Sequence, residues 1–222
     1  MTIMELIHSH QEWLSSDGHS GKQFNAFNLR RYAIELHSAD LRGCDLRYAN
    51  LSGLHCSHIN FKDADLYHAD LSNAQLYDCC FDHAKMEKVD LSDSNLFGST
   101  FQDTFLSSAT LTGSEFWNTS FLNADLQNAM CDKTQWVNAG LTNANLAGTN
   151  FSHAQLYGVD FRGAYLIWTN FNCALLESCF IQKNDIKQKY LFCLTYEKLM
   201  QLCLHQQRHS GVISKRSFMV VE

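Results

Sequence analysis

Starting at Leu41 and stepping five residues at a time, the chain meets an apolar side chain at every step as far as Ile181, twenty-nine in succession with no insertion or deletion. The run opens Leu41, Leu46, Leu51, Cys56, Phe61 and closes Phe161, Leu166, Phe171, Leu176, Ile181. Two residues before each step the side chain is nearly always small, as at Ala39, Cys44, Ala49, Ala64, Ala69 and Ala74, with Leu54 and Ile59 the bulky departures. Apolar residues make up 45% of the chain, so a chance run of this length is negligible. A lone helix repeats about every 3.6 residues and a strand every 2, and neither would bury such a column. The spacing demands a main chain that turns a corner every five residues, pointing the same two positions inward each time. A repeat of this kind decides the architecture before any other reading.

The commonest unit is Ala-(Asp/Asn)-Leu, as in Ala39-Asp40-Leu41, Ala49-Asn50-Leu51, Ala64-Asp65-Leu66, Ala69-Asp70-Leu71, Ala124-Asp125-Leu126 and Ala144-Asn145-Leu146. These segments resemble the pentapeptide-repeat family, over about two thirds of the chain. The resemblance implies an all-β fold, a right-handed quadrilateral β-helix with four pentapeptides to a coil and Leu or Phe stacked along the axis. At that count the run makes roughly seven coils, and at ~4.8 Å between paired strands the rod is roughly 35 Å long. The unbroken register argues for one solenoid over residues 38–183, with 1–37 and 184–222 as its ends.

Both ends carry helical signals. Thr2 and Glu5 form a capping box, Ile3, Leu6, Ile7, His10, Trp13 and Leu14 share one face, and Asp17-Gly18 closes a helix over 2–15. A solenoid must cover its open core, so this helix reads as a cap over the first coil, with a docking helix as the sharper alternative. Phe27-Asn28-Leu29 and Tyr32-Ala33-Ile34 read as imperfect repeats of a ragged first coil. Beyond Ile181, Thr195 can cap a second helix bearing Tyr196, Leu199, Met200, Leu202 and Cys203 on one side. It is placed to cover the outward apolar residues of the last coil, Tyr165, Ile167, Trp168, Leu175 and Phe180. In relatives a C-terminal helix joins two rods, so the resemblance also implies a homodimer through this segment. Ser217–Val221 reads as an added extended strand or a loose end.

With four units to a coil, residues twenty apart stack. The inner column through Leu41, Phe61, Phe81, Phe101, Phe121, Leu141, Phe161 and Ile181 holds five phenylalanines on one wall, an offset aromatic stack. An outer column of Asn50, Asp70, Asp90, Thr110, Asn150 and Asn170 is expected to hydrogen-bond the corner backbone. Another outer column reads Tyr77, Phe97, Trp117, Val137 and Tyr157, an apolar stripe about four coil spacings or roughly 19 Å long. Contiguous exposed apolar surface marks contact sites. The stripe is therefore the candidate partner-binding surface, unless its rings lie flat on neighbouring turns or the tail covers them. Asp63, His83 and Asp103 also stack, which reads as a pH-responsive spot or a plain polar ladder. His153 stacks with Cys173, too few groups for a metal site.

From Ala39 to Ile181 there are 7 Lys and Arg against 16 Asp and Glu, a net of −9, while residues 182–222 carry +4. An acidic rod repels nucleic acid and attracts basic partners. The carboxylates gather early, with Asp65, Asp70 and Asp90 as the candidate acidic face. Some members of the resembled family imitate duplex DNA and bind DNA gyrase, which makes a gyrase-directed DNA mimic the alternative function. Gyrase-protecting relatives often carry a loop inserted into the repeat, and none interrupts this register. The nine cysteines fall largely at inward positions, pointing to a reducing, cytoplasmic setting; neither a secretory signal nor an apolar run of membrane length is evident. No catalytic motif, cofactor loop or spaced metal-ligand set stands out, and the ladders of a solenoid face are flat where small-molecule sites are concave. The leading expectation is a non-catalytic scaffold for an unidentified protein partner, without cofactor, nucleic acid or membrane.

Overall fold

The computed structural model describes residues 3–24, 36–182 and 219–221. Over 36–182 the chain winds into a four-sided parallel β-solenoid. Bridges join residues twenty apart throughout, as in Asp40–Asn60, Asp45–Asp65, Asn50–Asp70 and Gln75–Asn95, so four pentapeptides make each coil. The column 40, 60, 80 and onward to 180 has eight rungs and seven spacings between them. We number the walls by their inward residues: the first through 41 and 61, the second through 46 and 66, the third through 51 and 71, the fourth through 56 and 76.

The corner is made by one backbone conformation. Every fifth residue from Ser38 to Ser178, twenty-nine in all, has φ between 53° and 75°. This left-handed region suits glycine, and among other residues chiefly Asn, Asp and His. The column obeys that rule: twenty-one of the twenty-nine are Gly, Asn, Asp or His. Trp168, Tyr48, Lys88 and Lys133 are among those that adopt it against preference. Five of the corner glycines are held there by contact as well. A Cβ on Gly98 would lie 2.1 Å from Asp78 Oδ1, and Gly113, Gly148, Gly158 and Gly163 meet Asp93, Asn128, Asn138 and Asn143 in the same way.

Coils are tied by reciprocal bonds. Leu41 N donates to Asn60 O at 2.8 Å and Asn60 N donates back to Ala39 O at 2.9 Å, a pattern that recurs up the rod. The inward residues fill the tube; only Leu176 among them is less than fully buried. Leu71, Leu91 and Leu111 sit one above another at zero exposure on the third wall. On the first wall Phe61, Phe81, Phe101 and Phe121 stack at 4.5–4.9 Å between centroids. Phe161 is not part of that stack, because Leu141 intervenes; it meets Phe151 and Phe171 edge-on instead. Phe116 and Trp136, 4.3 Å apart, carry the aromatic chain from Phe121 across to Phe151.

Hydroxyls at the small inner position bond between coils. Ser94, Ser99, Thr104, Ser114, Thr149 and Thr169 each donate to the carbonyl twenty-three residues earlier. This satisfies buried hydroxyls that would otherwise be costly.

At the N-terminal end, helix α1 spans Ile3–Ser15. Asp17 and Gly18 leave it at positive φ, and Gly18 N donates to Trp13 O at 2.9 Å. Leu6 and Ile7 are buried in the same core as the coils. His10 is fully buried: its Nδ1 accepts from Phe24 N and its Nε2 faces Arg47 O, both at 3.0 Å. Because Nδ1 must accept, the proton sits on Nε2 and the ring is neutral; burial accordingly lowers its pKa. The ragged coil expected over 25–35 and the helix expected at Thr195–Cys203 lie outside the described residues. Of the expected terminal strand, Met219–Val221 (β8) pairs in parallel with Phe180–Gln182 (β7), adding a ninth rung to the first wall.

Candidate interaction surface

The fourth wall differs from the other three. It carries three-residue strands, His55–Ser57 (β1), Gln75–Tyr77 (β2), Glu115–Trp117 (β3), Gln135–Val137 (β4), Gln155–Tyr157 (β5) and Leu175–Glu177 (β6). On the other walls the rungs are single bridges, apart from the β7–β8 pair at the end of the first. The residue just before the inward one carries part of the contrast, although Cys80, Lys85 and Phe105 precede the same backbone turn on other walls without an Asx bond. On the other walls it is often Asp or Asn, whose side-chain oxygen accepts from the N–H two residues on and closes an Asx turn. All thirteen Asp and Asn residues at this position make that bond, as Asn50 does to Ser52 and Asp90 to Ser92. A second bond completes the turn, as from Cys44 N to Leu41 O. On the fourth wall the position holds His55, Gln75, Glu115, Gln135, Gln155 and Leu175, none of which can close so short a ring, and the chain stays extended. Asn95 is the exception in sequence and in structure: it accepts from Phe97 N at 3.1 Å, and Ser99 N closes the turn on Leu96 O.

Asn95 thus splits the wall into a β1–β2 pair and a β3–β4–β5–β6 sheet. It also has a cost one coil later. Thr119 follows the pattern of hydroxyls that reach the carbonyl twenty-three residues back, which here is Leu96 O. Its Oγ1 is the buried side-chain polar atom without a partner among the described residues. This is the place where an extended corner stacks directly after an Asx corner, and we attribute the orphan to that mismatch.

The ladder puts the apolar stripe in register. Trp117 pairs with Val137 and Val137 with Tyr157. Phe97 and Trp117 are each 40% exposed, while Tyr77, Val137 and Tyr157 are half-buried. Beside the stripe runs a second row, Gln75, Asn95, Glu115, Gln135 and Gln155, in which Asn95 Nδ2 donates to Glu115 Oε2 at 2.8 Å. Phe105, Met130 and Tyr48 are also exposed and escaped the sequence reading, because their neighbours one coil away in each column are polar. Tyr165, Trp168 and Leu175 are exposed on the last coil, Trp168 to 61%, while Ile167 and Phe180 are half-buried.

The acidic candidates have a structural duty as well as a charge. Asp65 accepts from Tyr67 N, Asp70 from Ser72 N and Oγ, and Asp90 from Ser92 N, each as an Asx turn. Arg47 Nε lies 4.0 Å from Asp65 and pairs closely with Asp45, whose carboxyl it holds below the usual range. The polar stack of Asp63, His83 and Asp103 is a corner column, and its residues are there in part because they tolerate positive φ. His83 Nδ1 is 4.0 Å from Asp103. Hydrogen bonds from Asn123 and Gln102 lead in lowering the Asp103 pKa, with His83 secondary. His153 and Cys173 are likewise corner residues. The missed signal was this column of Gly, Asn, Asp and His at every fifth place.

Burial pushes the thiols of Cys79 and Cys179 up to about 12 and that of Cys56 to about 11, so these are core side chains, not nucleophiles. Among the described residues no cluster of three or more metal-ligating side chains occurs, and no helix is long and apolar enough to cross a membrane.

Solved structures similar to this chain include a pentapeptide repeat protein, Rfr23, from the cyanobacterium Cyanothece 51142, at 23% identity over 50% of this chain and 88% of that one, with a TM-score of 0.40. HetL, a pentapeptide repeat protein involved in heterocyst differentiation regulation from Nostoc sp. strain PCC 7120, is 21% identical over 72% and 98%, with a TM-score of 0.31. QnrB1, a plasmid-mediated fluoroquinolone resistance protein, is 14% identical over 79% and 98%, with a TM-score of 0.40. No curated protein matches the chain. The sequence model described as pentapeptide repeats matches it in eight copies, over residues 44–82, 74–113, 106–135 and 137–176. With well over half its length matched and every coil built from four five-residue turns, this chain belongs to the pentapeptide-repeat family.

Proposed function

We propose that the protein is a non-catalytic interaction scaffold, which meets a protein partner through the fourth wall. The observation that supports this is the stripe itself: Tyr77, Phe97, Trp117, Val137 and Tyr157 form one outer column, Phe97 and Trp117 each 40% exposed, on the wall that carries strands β1 to β6. Aromatic anchors on a rigid surface carry most of the energy of typical interfaces. A flat ladder also offers no enclosed cleft for chemistry. Trp117→Ala and Tyr157→Ala should each weaken capture of a partner and leave the thermal midpoint nearly unchanged. A loss of several kcal/mol in stability would instead make these rings part of the packing and end the reading.

A second reading is a DNA mimic that engages DNA gyrase. It draws support from the choice of Asp over Asn at Asp40, Asp45, Asp65, Asp70 and Asp90, since Asn50 and Asn60 close the same turn without charge. The triple change Asp65→Asn, Asp70→Asn, Asp90→Asn keeps each turn acceptor and removes three charges. In a supercoiling assay it should abolish any effect on gyrase; an unaltered effect, or none from the parent chain, counts against mimicry.

A further inference from the structure

We propose that the fourth wall is self-complementary and that a second copy of this chain docks on it antiparallel, about a two-fold axis crossing the rod at Trp117. The inference rests on reading that wall as a contact surface, and it names one occupant. Such an axis reverses the order of coils but keeps each outer column opposite itself. In the stripe, Trp117 then meets Trp117, Phe97 meets Val137 and Tyr77 meets Tyr157, so the bulkier ring at 97 faces the smaller side chain at 137. In the neighbouring row Gln75 meets Gln155 and Asn95 meets Gln135, amide pairs that can donate and accept in either sense.

The corner column at the edge of the same wall supplies the charge match. Asp93 and Lys133 stand one coil either side of Gly113, and both are exposed. The two-fold sets Asp93 of each copy against Lys133 of the other, two ion pairs flanking a glycine that adds no bulk at the axis. Sliding the copy by one coil brings Lys133 against Gly113 or Asn73 and breaks both pairs. The rod points the same way: residues 39–110 hold 5 basic and 11 acidic groups, a net of −6, and residues 111–181 hold 2 and 5, a net of −3. Antiparallel docking sets the more acidic half against the less acidic half instead of against itself. One contact opposes the arrangement: Glu115 meets Glu115, each carboxylate held by Asn95.

A few coils of one wall make a small face, and interfaces below ~1,200 Å² associate weakly. Sedimentation velocity on the full chain, up to roughly 100 µM, should therefore show monomer passing to dimer as concentration rises. Asp93→Lys or Lys133→Asp alone should raise Kd about tenfold, and the two together should restore it. Lys88 and Asp63 already occupy left-handed corners, so these changes keep the fold. Glu115→Gln should tighten the dimer several-fold. A strictly monomeric chain overturns the proposal. So does a dimer indifferent to Trp117→Ala and to both charge reversals, which would join through another surface. Partner capture lost on Trp117→Ala from a chain that stays monomeric would keep the contact wall and discard its self-pairing; the opposite pattern would discard the heterologous partner alone.

Discussion

The fourth wall and the other three are built from the same five-residue unit, yet they turn their corners differently. On three walls a short Asp or Asn often closes the turn from the side chain, and the backbone closes it again from the residue three on. On the fourth, longer side chains stand in that place and the chain runs on as a strand before bending. The left-handed residue is common to both. What varies is how the turn ahead of it is stapled, and a short Asp or Asn side chain adds a staple without being required, since Lys85 and Phe105 precede the same backbone turn. Asn95 makes the case from within the fourth wall, since a single Asx residue restores there the turn of the other walls. The consequence for the surface is direct. The extended wall presents its outer side chains as an in-register ladder, and that ladder is where the apolar stripe lies.

The contrast between the inside and outside of the fourth wall should produce the largest effect. Trp136 is fully buried, and its indole donates to Thr134 Oγ1 at 2.8 Å. Trp136→Ala should cost about 3–5 kcal/mol in denaturant unfolding, whereas Trp117→Ala, one coil earlier and facing out, should cost less than about 1 kcal/mol. The corner comes next. Gly98→Ala adds a Cβ at positive φ against Asp78 Oδ1 and should cost about 1–3 kcal/mol, part of it returned by Asp78→Ala. Two buried threonines then separate the satisfied corner from the mismatched one. Thr104→Val removes a bond to Phe81 O and should cost about 1 kcal/mol, while Thr119→Val removes an unpaired hydroxyl and should be neutral or stabilising. If Thr119→Val proves as costly as Thr104→Val, the mismatch account fails. The smallest effect is the most diagnostic. Asn95→Gln should change stability by less than about 0.5 kcal/mol. It should still speed hydrogen exchange at Ser99 N, which loses its bond to Leu96 O, and an unchanged Ser99 rate would show that Asn95 does not choose the turn.

Much of this molecule was legible from a period. Which residues face inward, and that Asn50, Asp70 and Asp90 bond the corner backbone, followed from counting in fives. The number of units in a coil came from family resemblance, because spacing of five is compatible with any closed polygon; the bridges at a separation of twenty supplied it. In sequence the column of Asp63, His83 and Asp103 reads as a pH-responsive spot or a plain polar ladder, and in the structure its residue types answer first to backbone conformation. The exposed side chains of Phe105 and Met130 and the orphan Thr119 were out of reach, since each depends on neighbours one coil away.

By itself, then, the amino-acid order determined the five-residue bend, the inward columns and the Asp and Asn side chains that staple thirteen of the turns, because all three depend on atoms within a few bonds along the chain. Tertiary structure alone decided how many bends close a coil, which hydroxyls find carbonyls and how far the outer rings stand clear of the wall. Those depend on side chains about twenty residues apart, brought to ~4.8 Å by the winding of the coil.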